Sequence, residues 1–252
     1  MTKGNGKRIG WRRAGLLTAL VLLPSGPVIT VAHAAETFEN LRTAAPDLDP
    51  QVLRLALDAV DCSWVREVGR RDLLTVIDYS LASTEPRMWV FDLEKQELLF
   101  HELVAHGVNT GENYATRFSN RQGSKQSSLG VFLTGETYDG RNGYSLRLHG
   151  LEDGVNHLAL DRAIVVHGAW YVSEAFGREH GRLGRSWGCP ALDQEVAREV
   201  IDTVKEGSLL LIYYPDPSWQ ESSELSNRCA EARTAAAVEP EPAPQISPIS
   251  RY

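Results

Sequence analysis

From Arg71 to Tyr214 the apolar residues fall in short apolar or alternating runs, with turn residues between them. Leu74 and Val76, Met88 and Val90, and Leu98, Phe100 and Leu103 mark the first runs, and Ser83-Thr84-Glu85-Pro86 separates two of them. Such runs, bounded by turn residues, predict short strands. Further strands are expected at 129–134, 144–148, 163–166 and 209–214.

Two segments carry a helical period instead. Asp49-Pro50 offers an N-cap and a first-turn proline, and Leu53, Ala56, Val60 and Trp64 follow at helical spacing, which predicts a helix over 50–66. Val196, Val200, Ile201 and Val204 predict a second helix over 193–206, started by Asp193 and stopped by Gly207. The expected fold is mainly β with flanking helices: a catalytic-sized domain over 68–216, preceded by an N-terminal helical segment, 35–67. Within that segment, 36–49 reads as a polar lead-in. The polar, Gly-rich stretches 107–126, 135–143 and 172–188 are expected to be surface loops, where sites usually lie. Residues 217–252 include Glu239-Pro240-Glu241-Pro242-Ala243-Pro244 and read as a Pro-rich disordered tail.

Residues 1–34 stand apart. Lys3, Lys7, Arg8, Arg12 and Arg13 precede an apolar run, Ala14 to Leu23, then a Pro24-Ser25-Gly26-Pro27 breaker and Ala32-His33-Ala34. Basic region, short apolar region and small-residue site together predict a secretory signal peptide. The apolar run is well short of the ~20 residues a spanning helix needs, so no stable membrane anchor is expected. The whole chain has a net charge of −7; five of the 26 basic residues and none of the 33 acidic ones lie in 1–34, which leaves −12 for the exported part. Such a chain has no cationic excess to displace counterions from phosphates, so no nucleic-acid partner is expected. A local basic patch could still recognise a carboxylate-rich substrate.

Cysteine is scarce: Cys62, Cys189 and Cys229. An odd count in an exported protein suggests one pair and one free thiol. Cys62 and Cys229 could bridge, or Cys62 could be buried and Cys229 exposed. Cys189 sits in Arg185-Ser186-Trp187-Gly188-Cys189-Pro190-Ala191. A nucleophilic thiol needs a base, and neighbouring backbone N–H groups can hold an oxyanion. Gly188 would let the backbone approach a substrate closely. Ile164-Val165-Val166-His167-Gly168 puts a histidine at the end of an apolar strand, rigidly supported and able to face a cleft. Cys189 and His167 are therefore the candidate nucleophile and base. The alternative is a satisfied core histidine and a buried small residue. His149, His157, His167 and Cys189 match no usual zinc spacing, so no metal is expected.

The motifs resemble those of the L,D-transpeptidase (YkuD-like) catalytic domain, and more closely its murein L,D-transpeptidase catalytic domain branch. The family's strand-end His-Gly and its Ser/Thr-His-Gly-Cys correspond to His167-Gly168 and Ser186-Trp187-Gly188-Cys189, 22 residues apart from His to Cys. Val104-Ala105-His106-Gly107 and Ser127-Ser128-Leu129-Gly130-Val131-Phe132 resemble earlier family segments. So do Ile77-Asp78-Tyr79-Ser80, Phe118-Ser119-Asn120 and Leu146-Arg147-Leu148-His149-Gly150-Leu151-Glu152. The resemblance covers about 50–227.

It implies a β-sandwich-type catalytic domain and acyl transfer on peptidoglycan stem peptides, with no cofactor. Cys189 would attack a tetrapeptide stem to form a thioester, and His167 would act as base and then acid. The N–H groups of Gly188 and Cys189, with that of Trp187, would hold the oxyanion. Ser186 could orient His167 or serve only structure. Trp187 stands where the family has His, and Ala191 where it has Arg. Arg185, Arg182 or Arg147 could supply the missing cation. Gly168, Trp187 and His149 are further substrate-side candidates; His106 and Trp170 rank lower. The expected partners are stem peptides and carbapenem-type inhibitors, and the expected location is the periplasm. Hydrolysis of the same thioester, an L,D-carboxypeptidase activity, is the alternative reaction. A catalytically silent wall-binding protein is the alternative class.

Overall fold

The structure, a computed structural model, describes residue 1 and residues 28–62 and 69–223. In chain order its elements are helices α1 (Val28–Ala44) and α2 (Pro50–Asp61), then strands β1 (Leu73–Asp78), β2 (Met88–Asp92), β3 (Glu97–Glu102), β4 (Val104–Ala105), β5 (Gly130–Gly140), β6 (Gly143–Gly150) and β7 (Val165–Gly168). Helix α3 (Glu174–His180), strand β8 (Ala191–Leu192), helix α4 (Gln194–Val204), strand β9 (Leu209–Tyr213) and helix α5 (Pro217–Ser222) complete them.

All nine strands form one sheet in the order β3-β2-β1-β9-β5-β6-β7-β8-β4. Its two edges, β3 and β4, are consecutive in the chain with Leu103 alone between them. A flat sheet cannot satisfy that connection, so the sheet curls until its edges nearly meet. Arg87 ties the seam: its N–H donates to the Glu102 carbonyl at 3.0 Å, and its guanidinium donates twice to the Val104 carbonyl, at 2.8 and 3.1 Å. At the far side of the sheet β1 runs parallel to β9, Val76 opposite Leu211. The expected mainly-β domain with flanking helices is the observed one.

The helix starts follow local chemistry. Asp49 caps α2 by accepting from the Gln51 N–H, Asp193 caps α4 by accepting from Glu195, and Asp216 caps α5 by accepting from Ser218 and Trp219. Val52, Leu53, Ala56, Ala59 and Val60 bury one face of α2, and Ala197, Val200, Ile201 and Val204 bury one face of α4.

Several boundaries differ from the sequence reading. Residues 36–44 continue α1 rather than forming a polar lead-in, because Phe38 and Leu41, with Ala45 and Leu48 beyond, bury at helical spacing. Arg54 of α2 lies 3.9 Å from the centre of the Phe38 ring. Helix α2 ends at Asp61, and Trp64 lies outside the described residues. The 135–143 loop is mostly strand: β5 continues to Gly140 after a bulge between Thr134 and Thr137, and pairs with β6 in one long hairpin. The 172–188 loop contains α3, capped by Ser173 and closed by left-handed Gly181. Residues 217–222 are helical and bury Trp219 against Tyr213 rather than starting the tail. Residues 2–27 and 224–252, which hold most of the expected signal peptide and tail, lie outside the described residues, and α1 runs through the expected cleavage point at Ala34.

Candidate active site

β7 and β8 are parallel neighbours with His167 opposite Ala191. Cys189 lies in the bend two residues before Ala191, so the β7–β8 pairing brings the Cys189 and His167 segments side by side. Both residues are buried, at 7% and 5% exposure. Gly168 faces α4, where a Cβ would lie 3.1 Å from the Ala197 side chain. Gly168 is thus a packing residue as well as a hydrogen-bonding one: its carbonyl pairs with His167 Nδ1 at 3.0 Å. A carbonyl only accepts, so Nδ1 carries the proton and Nε2 keeps its lone pair. The Cys189 thiol donates to the Ala163 carbonyl at 3.6 Å. Chemically, the site offers a buried thiol and an imidazole whose Nε2 is unprotonated.

The segment before Cys189 is held by a dense set of bonds. Ser186 Oγ donates to the Cys189 carbonyl at 2.6 Å and accepts from the Gly188 N–H at 3.0 Å. Ser186 therefore does not orient His167; it closes the turn. The same bond occupies the Gly188 N–H, which the sequence reading had offered to an oxyanion. Ser127 Oγ donates to the Gly188 carbonyl and accepts from the Gly107 N–H, each at 3.0 Å. Gly188 has φ +124°, and a Cβ there would meet the Gln126 carbonyl at 2.8 Å. Glycine is required at this position by backbone conformation and by contact together.

Burial pushes the Cys189 thiol above its ordinary value; the Val165 backbone and the Arg162 guanidinium oppose it. Burial pushes His167 below its ordinary value, opposed by the Gly168 hydrogen bond. The resting pair is neutral thiol and neutral imidazole. Arg162 is half-buried, its guanidinium donating to the Ser119 carbonyl at 2.7 Å, to the Gln126 carbonyl at 2.6 Å and to Ser124 Oγ at 3.2 Å. Tyr171, raised to about 12 by burial and then by Cys189, is a neutral phenol within electrostatic reach of the thiol. The sequence reading missed Arg162, Tyr171 and Ser127. Arg162 could have been suspected as the lone cation just before the strand that ends in His167.

The arginines expected to meet substrate are engaged within the protein. Arg185 donates to the Gly111 carbonyl at 2.9 Å and to Glu112 at 2.7 Å, and Arg182 pairs with the same Glu112 at 3.1 Å. Arg147 pairs with Glu136 at 2.7 Å and lies over the Tyr138 ring. His149 packs against β5, where a Cβ on Gly135 would lie 2.6 Å from its Nε2. His106 is buried: Arg87 donates to its Nδ1 at 2.9 Å, so Nε2 carries the proton, 3.3 Å from the Gly111 carbonyl. It is a structural histidine.

Trp187, by contrast, is 67% exposed. Lys125 Nζ lies 4.7 Å and the Arg141 guanidinium 5.9 Å from the centre of its ring. Trp170 is also exposed and packs edge-on to Tyr171 and Phe176. Among the described residues no group of three or more His, Cys, Asp or Glu is placed to hold a metal ion. Cys62 is disulfide-bonded and Cys189 is a free thiol; Cys229 lies outside the described residues.

The family model described as L,D-transpeptidase catalytic domain matches residues 44–213. No curated protein matches. Among solved structures, an L,D-transpeptidase from Mycobacterium smegmatis is similar at 15% identity and TM-score 0.34, over 57% of this chain and 59% of that one. The helical cell shape determining protein Pgp2 from Campylobacter jejuni is similar at 14% identity and TM-score 0.38, over 65% of this chain and 60% of that one. An L,D-transpeptidase in complex with imipenem is similar at 15% identity and TM-score 0.35, over 56% of this chain and 59% of that one. The chain therefore spans about three-fifths of the length of these structures.

Proposed function

The chain belongs to the L,D-transpeptidase catalytic-domain family, and on that footing we propose that it is a peptidoglycan-modifying cysteine acyltransferase that cross-links stem peptides. The observation that carries the reading is the pairing of β7 with β8. It supports the reading by bringing the segment that carries the free thiol of Cys189 beside the strand of His167, whose Nε2 is left unprotonated by the Nδ1 bond to Gly168.

In the proposed reaction Cys189 Sγ attacks the carbonyl of the third residue of a tetrapeptide stem, and His167 Nε2 takes the thiol proton. The S–C bond forms, the C–N bond to the terminal D-Ala breaks, and His167 gives its proton to the leaving amine. A side-chain amine of a second stem then attacks the thioester, the C–S bond breaks, and the thiol is regenerated as the cross-link forms. Ser186 holds the Gly188 N–H, so the oxyanion falls to the N–H groups of Trp187 and Cys189. The thiol–Ala163 bond must break by rotation about the Cys189 side chain, as catalytic bonds in free enzymes often tighten only with substrate bound. A carbapenem would acylate the same sulfur. The pattern of residues 1–34 supports export and action in the periplasm. Among the described residues no helix is long and apolar enough to cross a membrane.

The test is mass spectrometry of products from disaccharide-tetrapeptide fragments, with Cys189→Ala in parallel. A cross-linked dimer absent with the variant is the expected result. Tripeptide monomer alone would replace the reading with L,D-carboxypeptidase activity, and an unchanged substrate would overturn both.

A further inference from the structure

Four cationic side chains come from the loops around the 185–189 turn, and two are neutralised in place: Arg185 and Arg182 share Glu112. Lys125 and Arg141 are not. Both are exposed, and among the described residues neither makes an ion pair or a hydrogen bond through its charged end. They come from different parts of the fold. Lys125 sits in the loop before β5, with φ +55°, and Arg141 sits at the tip of the β5–β6 hairpin. Two like charges from separate elements meet over one exposed indole, in a chain whose net charge is −7. An aromatic face lowers the cost of bringing cations together, and an unneutralised pair concentrates positive potential for an anionic ligand.

The position relative to the nucleophile narrows what that anion is. Trp187 lies two residues before Cys189, a chain distance of at most about 7 Å. In the reaction proposed above, the leaving residue's carboxylate is one residue beyond the carbonyl that Cys189 attacks. Lys125 and Arg141 therefore stand over a side chain two residues from the nucleophile, and the carboxylate one residue from the scissile bond is the stem-peptide anion that lies nearest the sulfur. The bidentate guanidinium and the compact ammonium are complementary donors for it. Resting on the reading of Cys189 as the acylated residue, we propose that Lys125 and Arg141, gathered over Trp187, bind the terminal carboxylate of the donor stem. These two residues would then select free-acid stems over stems whose C-terminus is blocked.

The experiment compares disaccharide-tetrapeptide with its C-terminal amide, using the full chain and the double variant Lys125→Gln/Arg141→Gln. Product formation read by mass spectrometry gives KM and kcat for each. The expected result is a KM about tenfold higher for the amide with the unaltered protein. The double variant should show the raised KM for both substrates, with kcat changed less than about threefold. The preference should also shrink as salt screens the two cations. Conversion of acid and amide with equal KM by the unaltered protein overturns this inference and leaves the cysteine chemistry standing. So does a double variant, folded by circular dichroism, that keeps the preference for the acid. If the unaltered protein converts neither substrate, the reading of Cys189 fails and this inference falls with it.

Discussion

Ser127 and Gly188, 61 residues apart, are joined by a buried hydrogen bond from the serine hydroxyl to the glycine carbonyl. The same hydroxyl accepts from the Gly107 N–H, so one side chain fixes two backbone segments that pass within van der Waals contact. Ser127→Ala leaves a buried carbonyl and a buried N–H without their partner, which costs roughly 1–3 kcal/mol. Urea denaturation should show that loss. Product formation should fall at least about tenfold, because the freed turn carries Cys189 out of line with its base. A variant as stable and as active as the parent would remove Ser127 from any positioning role.

Gly188→Ala tests the same turn from the other side. The added methyl group meets the Gln126 carbonyl, and φ +124° is strained for any L side chain. A stability loss of about 1–3 kcal/mol is expected from the strain. Turnover should fall roughly 100-fold with the displaced thiol. Full turnover in the variant would show that the turn relaxes without cost.

The neutral thiol and neutral imidazole set the pH dependence. His167 works as a base only when unprotonated, and burial holds its protonation below the ordinary 6.5. Activity should therefore persist below that pH and fall only as pH drops through the lowered value. The thiol ionises above its ordinary 9.0. Alkylation of Cys189 by iodoacetamide should be slow near neutrality and accelerate in that alkaline range. Fast alkylation at pH 7 would indicate a resting thiolate–imidazolium pair instead.

His106 predicts a separate acid sensitivity of the fold. Burial first, and then the Arg87 charge, lower it to about 4 from an ordinary 6.5. The folded state therefore resists a proton that the unfolded chain accepts. Its stabilising contribution is complete above 6.5 and is lost as pH falls towards about 4. The loss amounts to roughly 3 kcal/mol. Denaturant midpoints measured across that range should decline in the parent, and the decline should be shallower in His106→Gln. Equal slopes would exclude His106 as the source.

Much of the domain can be read from local pattern. Alternation located β1, β2 and β3, and Asp49-Pro50 and Asp193 announced the starts of α2 and α4, because capping needs only neighbours in the chain. The His167-Gly168 and Gly188-Cys189 pairs marked the candidate site through short motifs. What local pattern misses depends on distant partners. Arg185 looks like a free cation until Glu112, 73 residues earlier, neutralises it. Gly188 offers an N–H until the turn brings Ser186 Oγ to it. Helix α1 hides its apolar face among Glu36, Glu39 and Asn40, and only the packing of Phe38 and Leu41 reveals it.

The parallel pairing of β1 with β9 has a consequence for the order in which the molecule is made. β1 is the first strand and β9 the last, and they are hydrogen-bonded neighbours in the middle of the sheet. A growing chain therefore carries β1, β2 and β3 with one side unsatisfied until residues 209–213 arrive. Contacts so far apart in sequence close late and slowly. The β1–β3 part of the sheet therefore keeps an open edge until residues 209–213 have been made and can pair with it.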